Sequence, residues 1–205
     1  GISTKGGDVT NSGTITLILA TSTGISSENA NVTNSATTGK IEVKNGNSMG
    51  IYAKLAGNVN KTVSNAGKIS LETPTGLSPV PQKSAAIYSL VDGGTGTGIL
   101  TTENNETINV DQKDSVGIFA QNNGAANTRS VVKNTKIINV SKEGSAGILG
   151  EKSTITNSGA GTDGIVLTAN KTVGIIGKNG SEVSNTGRIE TKTATPSGSS
   201  EGLVG

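Results

Sequence analysis

Two pairs of carboxylates are the residues of this chain whose spacing could support acid–base chemistry. Glu103 lies three residues before Glu106, and Asp111 lies three residues before Asp114. Paired acids cleave glycosidic bonds when they converge across a groove. The chain has no His and no Cys, which excludes Ser-His and Cys-His nucleophile pairs and the usual zinc ligands. Because mixed polar residues surround both pairs, we interpret them as surface or turn residues and expect no catalytic residue, metal site or cofactor.

A glycine-rich stretch from Asp92 to Gly98 is the other segment with the look of a ligand-binding loop. It lacks the Gly-Lys-Ser/Thr ending of a phosphate-binding P-loop, and no second acid stands in the register of calcium-binding repeats. We therefore interpret it as a surface loop.

The charges give no sign of a nucleic-acid partner. The 17 basic and 15 acidic residues are interspersed, without a charged run of five. Nucleic-acid binding requires a concentrated basic face, so we expect no such partner. No stretch approaches the ~20 apolar residues that span a bilayer.

The core cannot depend on aromatic packing, because Tyr52, Tyr88 and Phe119 are the only aromatic residues among 205. A globular core of this size normally uses several large rings, since each buries so much area. The composition therefore favours a narrow, layered core of Ile, Val, Leu and Ala.

Two short motifs alternate along the chain. In the first, an apolar residue or Thr is followed two places on by Asn, and an aliphatic residue follows at least four places after the Asn. The second reads Gly-Ile, Ala-Ile or Gly-Leu and begins at residues 1, 24, 50, 86, 117, 147, 174 and 202. Repeats of about 20–50 residues indicate a solenoid or a similar array. The invariant Asn residues are Asn11, Asn34, Asn65, Asn104, Asn134, Asn157 and Asn185.

The repeats predict β-strands. Apolar residues recur with period two around each motif, as at Val63, Asn65, Ile69 and Leu71, and such alternation is typical of strands. The 30 Gly residues and the abundant Thr, Ser, Asn and Val disfavour helix. We predict an all-β fold for residues 1–205, a single parallel β-helix of about seven coils. Each coil holds three short strands: one at the Gly-Ile marker, one at the Val before the Asn, and one at the aliphatic residues after it.

The invariant Asn faces the interior in this scheme, so its amide must find partners. If each copy occupies the same corner of successive coils, the amides can hydrogen-bond to one another in a ladder. Asn tolerates left-handed backbone in turns. A Gly two residues later in four copies (Gly13, Gly67, Gly159 and Gly187) suggests a sharp bend.

Three segments exceed the repeat and predict extended loops in consecutive coils: 71–85, 91–98 and 121–129. Insertions in repeat proteins often map to the binding face, and we expect these loops to decorate one side of the rod. Tyr52, Tyr88 and Phe119 follow the marker Ile in consecutive coils and would form an exposed aromatic stripe. The candidate partner-binding residues are therefore Tyr52, Tyr88, Phe119, Leu77, Val80 and Arg129.

Four phrases carry a resemblance to a known family: Ser-Val-Gly-Ile-Phe-Ala at 115–120, Ser-Met-Gly-Ile-Tyr-Ala at 48–53, Ser-Ala-Gly-Ile-Leu-Gly at 145–150 and Thr-Val-Gly-Ile-Ile-Gly at 172–177. Interleaved with Val-x-Asn-x-Gly-x-Ile, they resemble the passenger repeats of large type V autotransporter adhesins, most of all those of fusobacteria. The resemblance covers the whole chain. It implies a right-handed β-helix at the cell surface, anchored in the full-length parent through an outer-membrane barrel. It also implies attachment to host glycans, host receptor proteins or other bacteria, and it transfers no catalytic or binding residue.

Two alternatives remain open at this point. One is a passive stalk that carries a binding tip elsewhere in the parent chain, for which even repeats are expected. The other is a polysaccharide-acting enzyme on the same fold, which should show converging acids, or acid with Arg. Arg129 and Arg188 are the only arginines.

Overall fold

A computed structural model of the chain describes residues 1–73, 83–93 and 96–193. Within these ranges it contains 21 β-strands and no helix. The strands lie in three sheets of seven, and all pairings between neighbours are parallel. Successive coils connect through right-handed crossovers, as parallel strands in one sheet nearly always do. The described residues form a right-handed parallel β-helix of seven coils; the repeats predict the parallel coils, and the resemblance implies the handedness.

Each coil contributes three consecutive strands. Coils 1 to 3 contain β1 (Ile2–Lys5), β2 (Val9–Asn11) and β3 (Thr14–Leu17); β4 (Thr23–Glu28), β5 (Val32–Asn34) and β6 (Lys40–Val43); β7 (Met49–Leu55), β8 (Lys61–Asn65) and β9 (Lys68–Leu71). Coils 4 and 5 contain β10 (Ala85–Val91), β11 (Ile99–Asn104) and β12 (Ile108–Val110); β13 (Val116–Asn122), β14 (Arg129–Asn134) and β15 (Ile138–Val140). Coils 6 and 7 contain β16 (Ala146–Glu151), β17 (Ser153–Asn157) and β18 (Ile165–Leu167); β19 (Val173–Lys178), β20 (Glu182–Asn185) and β21 (Ile189–Thr191).

The motifs assign the strands to sheets. Sheet A contains the strands of the Gly-Ile markers. Sheet B contains the strands that end in the invariant Asn, and sheet C contains the strands that come after it. In sheet A the register places Ile51 beside Ile25 and Ile87. The marker Ile residues therefore stack on one another along the interior of the rod.

The core is a set of aliphatic columns. The marker Ile residues of coils 2 to 6 are fully buried, as are the first apolar residues of β6, β9, β12, β15 and β18. Ile118, for example, lies between Ile87 and Ile148. Stability in such a solenoid is a sum over neighbouring coils, and layers of Ile, Val and Leu fill its narrow interior without aromatic residues.

The invariant Asn residues form a continuous ladder. Each is the last residue of its sheet B strand, and the Nδ2 of the first six donates to the Oδ1 of the next coil's Asn over 2.7–2.9 Å. The chain of bonds runs from Asn11 to Asn185. Asn34, Asn65, Asn104, Asn134 and Asn157 are completely buried, so the ladder satisfies amides that water cannot reach.

The backbone at this corner differs from the expectation. None of the ladder Asn residues has a positive φ, so left-handed backbone is not the reason for Asn here; the side-chain bonds are. The following Gly is required by crowding, at least at Gly67, where an added Cβ would lie 2.1 Å from the Gly39 carbonyl oxygen. Gly13 has no such neighbour within 4 Å.

A second buried row, which the sequence analysis did not anticipate, stabilises the corner between sheets C and A. Backbone N–H groups donate to serine Oγ atoms one coil further on, as from Ser48 to Ser84, Ser84 to Ser115 and Ser115 to Ser145, over 3.1–3.2 Å. All four serines are at least 95% buried. Two polar corners therefore lock the same coil-to-coil register.

Asn104→Asp tests the ladder by removing one donor at constant shape. We expect it to lower the free energy of unfolding by roughly 2–4 kcal/mol at pH 7, because a buried carboxylate would face the Oδ1 of Asn134. Burial raises the pKa of the introduced carboxyl above its unfolded value, so the folded state holds the extra proton. Relative to the wild type, stability should therefore recover as pH falls towards 4, by up to about 1.4 kcal/mol per pH unit.

Asn185→Asp is the matched control. Asn185 is exposed and accepts a bond from Asn157, an interaction a carboxylate can keep. Urea titrations at pH 7 and pH 4.5 should give this variant nearly the same free energy of unfolding as the wild type. Equal losses for the two variants, or a loss at Asn104 that does not depend on pH, would contradict the ladder.

Candidate binding groove on sheet A

The Gly-Ile marker interrupts the alternation of sheet A. Gly50 is buried, and an added Cβ would point inward to the Cγ2 atoms of Ile69 and Ile41, at 3.3 and 3.4 Å. The next residue, Ile51, is fully buried as well. Two successive inward residues act like a β-bulge, so the outward neighbours, Met49 and Tyr52, are three residues apart instead of two.

This wider spacing recurs in coils 2 to 7 and creates a groove along the rod. Backbone of the markers forms its floor. A cavity of about 540 Å³ lies in the groove and is lined mainly by apolar side chains. One wall is the row Met49, Ala85, Val116 and Ala146; the other is the row Tyr52, Tyr88, Phe119, Leu149 and Ile176.

The aromatic residues of the second row stack as predicted. The ring centroids of Tyr88 and Phe119 are 4.7 Å apart, and the ring planes are nearly parallel at 7°. Tyr52 packs against Tyr88 at 5.4 Å with a tilt of 57°. All three side chains are half-buried. The row thus has a rigid centre.

Polar groups hold the edge of this row in place. The Tyr88 hydroxyl donates to Gln121 Oε1 over 2.7 Å, and Gln121 Nε2 donates to Glu151 Oε2 over 3.0 Å. Burial raises the pKa of both Tyr52 and Tyr88 above the ordinary value. Both hydroxyls therefore remain protonated at neutral pH, and Tyr88 keeps its role as a donor.

Two polar rims border the groove. The turn rim, at the corner between sheets C and A, holds one positive-φ residue per coil: Thr21, Asn47, Lys83, Asp114, Gly144 and Lys171. The strand rim is the next outward row of sheet A: Glu28, Lys54, Leu90, Gln121, Glu151 and Lys178. Lys83, Asp114 and Lys178 make no ion pair with any other described residue.

The other predicted partner-binding residues do not join the groove. Arg129 is exposed and lines a separate polar cavity of about 380 Å³ with Lys152 and Glu182, at the corner between sheets A and B. Leu77 and Val80 lie outside the described residues.

The three extended segments are not on one side of the rod. In segment 71–85 the described chain ends at Thr73 and resumes at Lys83, at the corner between sheets C and A. The described residues of segments 91–98 and 121–129 lie at the corner between sheets A and B. The expectation of a single decorated side is wrong, because the described ends of the three segments lie at two corners, both of which border sheet A.

The candidate acids lie on different parts of the surface. Glu103, on the outer face of sheet B, pairs with Lys133 at 3.1 Å. Asp111 accepts a bond from Ser141 at 2.9 Å and pairs with Lys142 at 3.2 Å. Asp114 belongs to the turn rim. Across the described ranges no three carboxylates come together as potential metal ligands.

Sequence reasoning missed most of the groove. It recognised the three aromatic residues but not Leu149 and Ile176, which continue their row, and not the opposite wall that begins at Met49. The signal was present: in five consecutive coils the residue after the marker Ile is aromatic or aliphatic. A strict period-two reading hides the opposite wall, because it does not allow two successive inward residues.

Comparison of the chain with protein-family models, with curated proteins and with solved structures found no match in any of the three. In the part of the chain that the structure describes, no helix is long and apolar enough to span a membrane.

Adjacent substitutions in β13 test the assignment of inner and outer faces. Ile118→Ala should lower the free energy of unfolding by about 2–5 kcal/mol, because it opens a cavity in the core. Phe119→Ser should lower it less, by about 1–3 kcal/mol, because it removes one aromatic pair and the transfer free energy of a ring that is only half-buried. Urea denaturation followed by circular dichroism measures both, and a larger loss at Phe119 than at Ile118 would place the groove side chains in the core.

Proposed function

We propose that this chain is a segment of a rod-shaped, surface-displayed adhesin and that the sheet A groove is its adhesive surface. Stacked coils give the rod reach, and the coil-to-coil register presents the groove as a continuous, preformed strip. The resemblance to the passenger repeats of type V autotransporter adhesins supports the same role and a location at the cell surface. The proposal makes the chain a binding protein, not an enzyme.

The observation that carries the proposal is the apolar row of five coils on an outward face. The outward rows of the other sheets are mostly polar: Thr33, Ser64, Glu103, Lys133 and Thr156 on sheet B, and Glu42, Ser70, Asn109 and Asn139 on sheet C. Contiguous apolar surface rimmed by polar groups typically marks an interaction site.

The ring geometry favours a protein surface over a glycan as the ligand. A sugar binds aromatic residues by lying on a free ring face. The facing surfaces of Tyr88 and Phe119 are occupied by each other at 4.7 Å, so mainly ring edges are left at the groove. Ring edges and aliphatic side chains pack well against apolar side chains of a protein partner, such as a host receptor or a protein on another bacterium.

A passive stalk is the second candidate, and the continuous ladder supports it. The Asn ladder crosses all seven coils without a break, including coils 3 to 5, from which the three long connections lead. Such regularity suits a spacer as well as a binding segment. The two candidates differ in whether the groove contacts anything.

Attachment assays distinguish them. We expect labelled wild-type protein to bind host epithelial cells or a panel of bacteria, and Tyr88→Ser with Phe119→Ser to weaken binding at least tenfold. The matched control is Ser64→Ala with Thr156→Ala, two outward changes on sheet B that should leave binding unchanged. A glycan array and a variant lacking residues 74–82 complete the set.

Each outcome points to one candidate. Groove-dependent binding to cells supports the adhesive groove. Binding that requires residues 74–82 but not the groove would move the site to that segment, and binding to the array that survives the double serine change would favour a glycan site elsewhere. Wild-type protein that binds no surface would make the segment a stalk.

A further inference from the structure

We propose that the groove binds a second copy of this chain, in an antiparallel side-by-side dimer whose two-fold axis passes between coils 4 and 5. The inference rests on the proposed function in taking the groove as the binding surface, and it deepens that function by naming the partner. In this dimer the two A sheets face each other with their rods antiparallel. Coil 4 then faces coil 5 of the other copy, coil 3 faces coil 6, and coil 2 faces coil 7.

The charges of the strand rim match under this operation. Glu28 of coil 2 meets Lys178 of coil 7, and Lys54 of coil 3 meets Glu151 of coil 6. The uncharged residues of the row, Leu90 and Gln121, meet each other at the centre. Because the axis is two-fold, each pair occurs twice. The row therefore contributes four opposite-sign pairs and no like-sign pair.

The turn rim matches independently. A two-fold axis along the strand direction brings each rim against the same rim of the other copy. Lys83 of coil 4 then meets Asp114 of coil 5, again twice, and Asn47 meets Gly144. Lys83 and Asp114 make no ion pair with any described residue of their own rod, so both charges are available to a partner.

A shift of the two rods by one coil in either direction would bring like charges together. Sliding one rod by one coil in one direction puts Glu28 against Glu151 and Lys83 against its own copy. Sliding it the other way puts Lys54 against Lys178 and Asp114 against its own copy. Like charges placed opposite each other destabilise an interface. Both rims therefore select the same register.

A parallel pairing of the rods is also disfavoured. It would bring the turn rim of each coil against the strand rim of the same coil in the other copy. Lys171 would face Lys178, while Lys54 and Glu151 would face the uncharged Asn47 and Gly144. The antiparallel arrangement uses the charges of both rims, and the parallel one uses none favourably.

The side-chain sizes of the two apolar rows are also complementary under this two-fold operation. Met49 faces Ala146, and Val116 faces Ala85, so that a large side chain meets a small one in each pair. Tyr88 faces Phe119 at the two-fold axis. Alternation of large and small residues lets facing sheets interdigitate at about 10 Å separation.

The buried area is sufficient for a moderate dimer. Along the rod, the contact face of sheet A spans six strands about 4.8 Å apart, roughly 29 Å. Along the strands it spans seven residues with a rise of about 3.3 Å each, roughly 23 Å, so each copy contributes on the order of 650 Å². The total of about 1,300 Å² lies in the lower part of the range for specific interfaces.

Charge reversal with mixing tests the inference by sedimentation velocity. Lys54→Glu and Glu151→Lys each create two like-sign pairs in a homodimer, and each should weaken dimerisation at least tenfold. An equimolar mixture of the two should regain the dimer, because the heterodimer has both pairs restored with opposite signs. The double variant in one chain should regain it too. Within one rod the two residues are three coils apart, about 14 Å, beyond the Debye length of about 8 Å.

Circular dichroism of each variant shows that the rod is intact, which matters because Lys54 also pairs with Asp92 at 2.9 Å in its own rod. Lys133→Glu, a reversal on sheet B beside Glu103, is the control and should leave the dimer unchanged. A wild-type protein that stays monomeric at 1 mM, or a mixture that stays monomeric, overturns the inference.

The inference and the proposed function can fail separately. A monomeric wild type that still binds cells through the groove overturns the self-association and leaves the adhesive groove standing with another partner. A dimer with the predicted charge dependence, together with no attachment to any cell that lacks this chain, would support self-association and remove the heterologous partners from the proposed function.

Discussion

A buried side-chain amide carries a donor and an acceptor that must both be satisfied. Within a coil, the N–H of Gly13 donates to Asn11 Oδ1 over 3.3 Å, a bond that satisfies the acceptor and leaves the donor. The equivalent amides of the two adjacent coils, at the strand spacing of about 4.8 Å, satisfy both ends: Asn34 accepts from Asn11 and donates to Asn65. The Asn ladder therefore restricts the coils to a single register: a slip of one residue in any coil would leave buried amides unpaired on both sides of it. The serine row at the corner between sheets C and A imposes the same register from another edge.

A fixed register turns sequence positions into surface rows. Any residue type that recurs at one place in the repeat becomes a continuous strip along the rod, which is how Tyr52, Tyr88 and Phe119 come to stack although more than thirty positions separate each from the next. The inward Gly of each marker, or Ala86 in coil 4, then leaves one position of the outer face without a side chain, and a groove runs beside that strip. Scaffold and groove therefore depend on the same constraint, and the groove is preformed. Preformed surfaces bind with little ordering cost, which suits both attachment to a partner and pairing of two rods.

The sequence was sufficient for the architecture because its signals are local and repeated. Val-x-Asn and Gly-Ile each mark one strand, and their spacing predicted three strands per coil and seven coils. The Asn ladder was also predictable, since an inward amide that recurs in every repeat finds its nearest partners in the adjacent coils. The bulge was not predictable from alternation, because the inward orientation of both Gly50 and Ile51 depends on contact with the Ile columns of sheet C. The sequence also could not show that Arg129 lies away from the aromatic row. Arg129 lies at the end of the long connection 121–129, and the corner of the rod at which this connection lies is known only from the folded structure. The same limit applies to the loops: chain order placed them in consecutive coils but did not reveal that they leave at two different corners.

The exchange of the Asn side-chain amide protons with solvent, resolved by NMR, tests the ladder most directly. If the seven amides form one ladder, the Nδ2 protons of the six donors from Asn11 to Asn157 should exchange slowly, because opening any one requires separation of adjacent coils. Those of Asn185, which donates to no described residue and is exposed, should exchange at the rate of a free amide. Fast exchange at the buried positions Asn65, Asn104 and Asn134 would contradict the ladder, and with it the register on which the groove depends.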